Sequence, residues 1–454
     1  MSAISICAEA EREPGAMRVG TIFRLWLPLA VSFELMMLEG PAVQGAIGRL
    51  PDPPLNLAAW GLTMALSLLV ESPVIMLLAT AIALVKDAAS YRALRRFMLC
   101  LCCGCTALTA LVAFTPLFYW IAGDLMGQPA PIVAAARPAM QLMLFWTAAI
   151  AWRRFYQGIL VRHGQTHLVS WGTALRLLAT VSAAVVLAWW GKLPGVQVGG
   201  LTLMIAVITE AIATTRFALP VVRRDVLPQR DLDGEPLTQR EIFRFHAPLA
   251  ATTLLTLLAQ PMTSAALARL SAPQATLAAW PVAFMVLMVL RGWGMALQEI
   301  TVAQARKPEA QPALRKFTWL VGGVTSGAAA ILVCTPLLGL YLDRVIHLPA
   351  DLRPYAHLAV GACVALPLIT ALGSWARGLL VAGGATRLIY RGMGINLATH
   401  GGLLALGVAL HLPGMWVAAG AFSLAAAVEY VYLSRRAAAL YAMSSFSRRS
   451  AAEE

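Results

Sequence analysis

The sequence predicts an all-α integral membrane protein in which twelve transmembrane helices form two parallel repeats of six. Hydrophobic residues make up 59% of the 454-residue chain and charged residues only 13%, whereas roughly a quarter of the residues of an ordinary globular domain are charged. About 20 apolar residues cross a bilayer, so the chain has room for about a dozen spans. The first half of the chain also recurs in the second half, which indicates that the spans form two sets.

The repeat is clearest in the segment that begins at residue 22. The tripeptide Ile-Phe-Arg at 22–24 returns at 242–244, and Leu-Ala-Ala-Trp at 57–60 returns at 277–280, in each case 220 residues later. Hydrophobic bias alone does not produce a gap-free echo over such a distance, and self-similarity of this kind indicates homologous halves. Six spans per half return the chain to its starting side of the membrane, so the repeats are parallel rather than inverted.

Hydropathy predicts the spans and the segments around them. In the first half we expect spans at 23–47, 57–85, 97–122, 132–160, 166–190 and 196–219. In the second half we expect spans at 243–267, 275–303, 317–342, 355–381, 388–410 and 415–433. The domain plan is a cytoplasmic amino-terminal segment, a first lobe, a cytoplasmic linker, a second lobe and a cytoplasmic tail, at 1–20, 21–220, 221–241, 242–438 and 439–454.

Prolines interrupt the first span of each half. Pro28 and Pro41 recur as Pro248 and Pro261, and each removes a backbone hydrogen bond that a lipid-facing helix cannot spare. Paired interruptions at equivalent positions indicate the working region of a transporter. An ordinary tolerated kink is the alternative interpretation.

The clusters of basic residues fall in alternate connections and the carboxyl tail, and this pattern predicts the orientation of the chain. They cluster at 86–96, 223–240, 306–316 and 435–449. The intervening connections carry few, chiefly Arg49, Lys192, Arg269, Arg344 and Arg353. By the positive-inside rule the clusters and both termini lie in the cytoplasm, and the Ala, Leu and Arg bias favours a bacterial inner membrane. The expected partner of the net charge of +13 is therefore the lipid bilayer and not nucleic acid.

Four charged residues lie at membrane depth. Glu34 and Glu39 lie in span 1, Glu71 lies near the middle of span 2, and Arg291 near the middle of span 8. Each costs about 2.5 to 3.5 kcal/mol at a helix centre unless it finds a partner or water. Glu71 and Arg291 occupy equivalent positions of the two repeats, 220 residues apart. We expect them to form an ion pair between the halves that acts as a gate, with a static neutralising pair as the alternative.

A second group of polar residues ends spans 4 and 10. Arg153, Arg154 and Gln157 close span 4, and Arg377 is the repeat equivalent of Gln157. Guanidinium groups match the geometry of carboxylate and phosphate, so these residues form a candidate clamp for an anionic substrate. Snorkelling to cytoplasmic headgroups is the alternative.

Spans 5, 6, 11 and 12 carry further polar residues. Arg176 and its equivalent Asn396 extend the candidate substrate site, and Glu299, toward the end of span 8, is a candidate for a coupling proton. Glu210 and Glu429 recur in both halves, and we expect them to be structural.

Several segments resemble a known superfamily. Residues 48–50, Gly-Arg-Leu, with the motif at 57–60 resemble the multidrug/oligosaccharidyl-lipid/polysaccharide (MOP) exporter superfamily. Within it, residues 151–163 and 292–299 resemble the progressive ankylosis transporters more than the multidrug and toxic compound extrusion (MATE) family. The resemblance implies two lobes that rock around a central cavity and export anions such as pyrophosphate, citrate or nucleotides. Val43 stands where the MATE family commonly has an acidic residue, which counts against cation-coupled drug export by that mechanism.

The function that these observations favour is secondary transport of an organic or phosphate-bearing anion. The alternative is export of drugs, or flipping of a lipid-linked precursor, coupled to protons or sodium through Glu34 or Glu39. A channel or scaffold is less favoured, and the spans contain no catalytic motif that indicates an enzyme. No cofactor or metal site is predicted. A coupling proton or sodium ion is left open, as is the oligomeric state, for which a monomer is plausible.

Overall fold

The computed structural model describes residues 18–229, 237–305 and 307–453, and these residues form helices joined by short connections. Spans 1–6 are Val19–Gly48, Pro53–Leu84, Ala88–Phe114, the bent pair Ala130–Leu142 and Trp146–Arg162, Thr166–Trp190, and Gly195–Val226. Spans 7–12 are Gln239–Leu267, Pro273–Gln304, Gln311–Cys334, the bent pair Arg353–Ala362 and Leu366–Ala382, Thr386–Ala409, and Gly414–Leu440. The prediction of twelve spans in an all-helical membrane protein is confirmed. We call the side on which span 1 begins the termini face and the other side the opposite face.

Spans 1 and 7 are broken at equivalent places. Span 1 consists of Val19–Met37 and Glu39–Gly48, and span 7 of Gln239–Leu257 and Ala259–Leu267. Each break falls three residues before the second proline, Pro41 or Pro261, where the proline ring clashes with a carbonyl one turn earlier and offers it no donor. The helices continue through Pro28 and Pro248, so the helix break belongs to the second proline of each predicted pair.

Spans 4 and 10 differ from the continuous helices that were predicted at 132–160 and 355–381. They bend by 44° and 43°. Pro367 opens the second half of span 10, but its equivalent in span 4 is Thr147. Because span 4 bends by nearly the same angle without a proline at this position, helix packing also contributes to the bend.

Both ends of spans 3 and 9 and the end of the last helix differ from the predicted ones. Spans 3 and 9 begin earlier than residues 97 and 317 because their helices extend past the apolar segment into the basic connection. Each then ends before a proline and is followed by a short π-helix, at Trp120–Leu125 and Tyr341–Val345. The last helix, Gly414–Glu453, continues through most of the predicted tail.

The first span of each repeat packs on the other repeat. Trp26 of span 1 meets Phe317 of span 9 edge-on at 5.3 Å between ring centroids, and its equivalent His246 of span 7 meets Phe97 of span 3 edge-on at 5.3 Å. His246 also shares hydrogen bonds with Thr80 Oγ1, at 2.9 Å, and the carbonyl of Pro73, at 2.7 Å. The first half-helices of spans 1 and 7 therefore pack on the other repeat and join the two.

Spans 2 and 8 form the central seam between the repeats. Toward the opposite face their side chains are buried, and a Cβ on Gly61 would lie 2.4 Å from Pro281 Cγ. Small residues allow such close helix approach inside membranes. Near the middle of the two spans, residues 68–70 and 288–291 are half-buried, so the seam is less closely packed there.

Part of the predicted domain plan lies outside the described residues. This holds for positions 1–17 of the amino-terminal segment, for 230–236 of the linker and for Arg306. The domain boundaries and the assignment of the termini face to the cytoplasm stay predictions.

Candidate functional site

Glu210 is the centre of a polar network within the first repeat. Its side chain is fully buried in span 6 and forms an ion pair with Arg153 of span 4. Gln157 Nε2 donates to Glu210 Oε1 at 3.1 Å, and Arg176 of span 5 lies 3.4 Å from Oε2. Arg153 and Gln157 reach the same carboxylate because they are four residues apart on one helical face.

Glu39 extends this network to span 1. It is the first residue of the half-helix that follows the break, where the positive end of the helix dipole stabilises a carboxylate. Glu39 forms an ion pair with Arg176, whose Nε donates to Oε1 at 3.0 Å. Thr180 Oγ1 donates to the same oxygen at 2.6 Å. The resulting first-repeat network, defined by Glu39, Arg153, Gln157, Arg176 and Glu210, ties the broken span to spans 4, 5 and 6.

The second repeat has a smaller network around Glu429 of span 12. Arg377 of span 10 donates to Glu429 Oε1 through Nη2 at 2.8 Å and Nε at 3.1 Å. Asn396 of span 11 donates to Oε2 at 2.9 Å. This second-repeat network, Arg377, Asn396 and Glu429, does not continue to span 7, because Ala259 occupies the position of Glu39.

These networks change the interpretation of the predicted anion clamp. Arg153 and Arg377 already neutralise buried carboxylates, so neither is a free guanidinium group in this conformation. The sequence predicts that Glu210 and Glu429 are structural and does not predict which arginines they bind. Their recurrence in both repeats was the signal that they anchor the arginines.

Two other arginines lack a carboxylate partner. Among the ion pairs of the described residues none involves Arg154 or Arg291. Arg154 is half-buried and its buried Nε has no hydrogen-bond partner. Arg291 Nε donates to Thr370 Oγ1 at 2.7 Å, and its guanidinium carbon lies 5.1 Å from the ring centre of Phe422.

The predicted ion pair between Glu71 and Arg291 is not formed in this conformation. Trp146 Nε1 of span 4 donates to Glu71 at 2.8 Å, and Arg291 donates to Thr370 of span 10. Each charged residue thus hydrogen-bonds to a neutral side chain of the fourth span of its own repeat and not to the other charged residue. Their role as a gate stays a prediction.

Two further predicted residues stand apart from both networks. Glu34 is 8% exposed, packs against the backbone of Gly292 and Trp293 in span 8, and has one carboxyl oxygen without a hydrogen-bond partner. Glu299 is exposed on the last half-helix of span 8, Leu297–Gln304. Glu34 therefore contacts the other repeat, whereas Glu299 does not join a network in the described part of the chain.

Comparison with known proteins identifies the class of fold. No protein-family model and no curated protein matches the sequence. Among solved structures, an inward-facing multidrug resistance MATE family transporter of the MOP superfamily matches with a TM-score of 0.64 and 13% identity, over 97% of this chain and 99% of that chain. The fold is thus that of MOP superfamily transporters, as the sequence resemblance implied.

Two further solved structures share this fold. A MOP superfamily transporter from Pyrococcus furiosus matches with a TM-score of 0.62 and 15% identity, over 94% of this chain and 97% of that chain. The lipid II flippase MurJ, in an inward closed conformation, matches with a TM-score of 0.65 and 9% identity, over 90% of this chain and 86% of that chain. The resemblance to the progressive ankylosis transporters stays a prediction.

Proposed function

We propose that this protein is a secondary active transporter that carries an organic or phosphate-bearing anion by alternating access of its two repeats. The observation that carries the substrate class is the presence in each repeat of one guanidinium group without a carboxylate at ion-pair distance, Arg154 in the first and Arg291 in the second. A cation at membrane depth without a carboxylate partner is costly. An anionic substrate supplies the missing charge.

The fold supports the transport mechanism. Two six-span repeats meet along spans 2 and 8, and the seam is tight toward the opposite face and less closely packed near the middle of the two spans. The Pyrococcus furiosus transporter of this fold is described by a reverse polarity of its binding pocket that suggests a different function. By analogy, we assign Arg154 and Arg291 the role of setting the polarity of the binding pocket in this protein.

The test is uptake of radiolabelled citrate, pyrophosphate and ATP into proteoliposomes, with Arg154→Gln and Arg291→Gln compared with wild type. A hydrogen bond to a charged group contributes roughly 1.5–3 kcal/mol. Each variant should therefore raise KM by about 10- to 100-fold. Arg216→Gln is the matched control, because Arg216 is an exposed arginine of span 6. Equal uptake by all four proteins would contradict the anion site.

A second candidate is proton- or sodium-coupled export of drugs, or flipping of a lipid-linked precursor. It is favoured by Glu34, because a buried carboxylate with an unpartnered oxygen is stabilised by a bound proton or cation. The same proteoliposomes can be tested with ethidium under a pH or sodium gradient. Gradient-driven ethidium uptake that Glu34→Gln abolishes, with no uptake of the three anions, would support this candidate over the first.

A further inference from the structure

Two arginines at the opposite face connect the repeats and take no part in the networks described above. Arg49 follows span 1 and Arg269 follows span 7, at equivalent positions 220 residues apart. In the sequence they are two of the few basic residues in the connections of that face. The structure places both guanidinium groups against the backbone of the other repeat.

The first contact joins span 1 to span 9. Arg49 Nη1 donates to the carbonyl of Val345 at 2.8 Å, and Nη2 donates to the carbonyl of Arg344 at 3.2 Å. These carbonyls end the π-helix Tyr341–Val345. Arg49 Nη1 also donates to the carbonyl of Gly45 in its own helix at 2.6 Å, which fixes the guanidinium group in place.

The second contact repeats this arrangement between span 7 and span 3. Arg269 Nη1 donates to the carbonyl of Met126 at 2.7 Å, and Nη2 donates to the carbonyl of Leu125 at 2.6 Å. The π-helix here is Trp120–Leu125. Arg269 Nη1 donates to the carbonyl of Ala265 in its own helix at 2.7 Å. Pseudo-twofold symmetry thus produces one such contact from each repeat.

The chemistry of the acceptors explains the contact. The last carbonyls of a helix have no donor within the helix and carry its partial negative charge. A guanidinium group presents several donors in a planar fork and meets two neighbouring carbonyls at once. Each arginine therefore supplies the missing donors and also joins the repeats.

The backbones themselves touch beside the first contact. A Cβ on Gly48 would lie 1.8 Å from the carbonyl oxygen of Ile346, so the approach requires glycine at this position. Beside the second contact, Gln128 Nε2 donates to the carbonyl of Ser264 at 3.0 Å. The repeats cannot separate at this face without breaking these contacts.

We propose that Arg49 and Arg269 form a reciprocal latch that holds the opposite face closed. The inference rests on the proposed alternating access, since a latch matters only if that face opens during the cycle. Opening requires both guanidinium groups to release the carbonyls of the other repeat. The Arg-Leu sequence shared by the two repeats at 49–50 and 269–270 is the sequence signature of the latch.

The test measures the distance across the opposite face in lipid nanodiscs. In a background without the seven cysteines, spin labels are placed on cysteines at Lys192 and Leu412, which are exposed in the connections after spans 5 and 11. Arg49→Gln, Arg269→Gln and the double variant are compared with the labelled parent by double electron–electron resonance. Each single variant should raise the ratio of long to short distances by about three- to tenfold, and the double variant should raise it further.

The matched control is Arg353→Gln, because Arg353 donates to the carbonyl of Leu348 at 2.9 Å and to Asp343 within its own repeat. It should leave the ratio unchanged. A latch is contradicted if the double variant keeps the parental ratio, or if Arg353→Gln shifts it equally. If one single variant does not fold, the other tests the same claim. If the labelled parent shows both a short and a long distance and the arginine variants do not change their ratio, the latch is wrong but alternating access stands. If every protein shows one and the same distance under all conditions, alternating access is contradicted as well.

Discussion

The two repeats place a buried glutamate in their sixth spans, and they satisfy it differently. In the first repeat Glu210 meets Arg153 and Arg176, and Arg176 also holds Glu39 of the broken first span. In the second repeat Glu429 meets Arg377 and Asn396, and in the described part of the chain no contact extends the network to span 7. The first network links a helix that crosses to the other repeat, whereas the second links only neighbours within one repeat.

The link between the first and fifth spans shows the same difference. In the first repeat it is ionic, between Glu39 and Arg176. In the second repeat it is a hydrogen bond of 2.9 Å between Thr263 Oγ1 and His400 Nε2, without a carboxylate. An ion pair between two charged side chains responds more strongly to nearby ions and to substrate charge than a single hydrogen bond does. We therefore expect the first repeat to carry the charge-sensitive part of the cycle.

The largest expected effect is the loss of stability in Glu210→Gln. Removing one partner of a buried ion pair leaves the other charge uncompensated and costs about 3–5 kcal/mol. Glu429→Gln should cost less, about 1.5–3 kcal/mol, because the Arg377 side chain is 32% exposed and can be rehydrated. The measurement is the free energy of unfolding in mixed micelles, with the exposed Glu309→Gln as control. Equal losses for the two variants would contradict the distinction between the networks.

The second prediction concerns substitutions that give the second repeat the ion pair of the first. Ala259→Glu places a carboxylate at the position of Glu39 without a cationic partner, and should destabilise the protein by about 2.5–3.5 kcal/mol. Adding Asn396→Arg recreates the pair of Glu39 with Arg176 and should recover at least half of that loss. The free energies of unfolding of the single and double variants decide this. A double variant no more stable than Ala259→Glu would show that the equivalent positions do not face each other.

The smallest expected effect concerns the charged residues of the central seam. Trp146→Phe keeps the aromatic packing but removes the donor to buried Glu71, and should cost about 1–3 kcal/mol. Thr370→Val removes the acceptor of Arg291, which is half-buried and still lies over Phe422, so the cost should be smaller. The free energies of unfolding of the two variants in mixed micelles are compared. A larger loss of stability in Thr370→Val than in Trp146→Phe would contradict the conclusion that Glu71 is the more deeply buried charge.

The repeat offset explains how much of this was predictable. The spans, their parallel arrangement and the equivalence of Gln157 with Arg377 and of Arg176 with Asn396 follow from residues 220 apart in the sequence. The pairing of charges does not follow. Glu71 and Arg291 are equivalent, but the rotation of each helix turns them toward spans 4 and 10.

Two contacts could not be predicted from the sequence, for physical reasons. The link between Glu39 and Arg176 depends on the break in span 1, which sets the direction of Glu39. The latch arginines bind backbone carbonyls, and carbonyls carry no sequence signal. Only the recurrence of Arg49 as Arg269 could have indicated them.

A counterflow measurement in proteoliposomes distinguishes anion transport by alternating access from the alternatives. Wild-type proteoliposomes are loaded with unlabelled citrate, pyrophosphate or ATP, and uptake of the same labelled anion is followed without an ion gradient. We expect saturable uptake of at least one of these anions, accelerated by the same anion inside, because a loaded carrier returns faster than an empty one. Flux of an anion that neither saturates nor responds to internal anion would identify a channel. Absence of uptake of all three by folded protein would contradict the assigned substrate class.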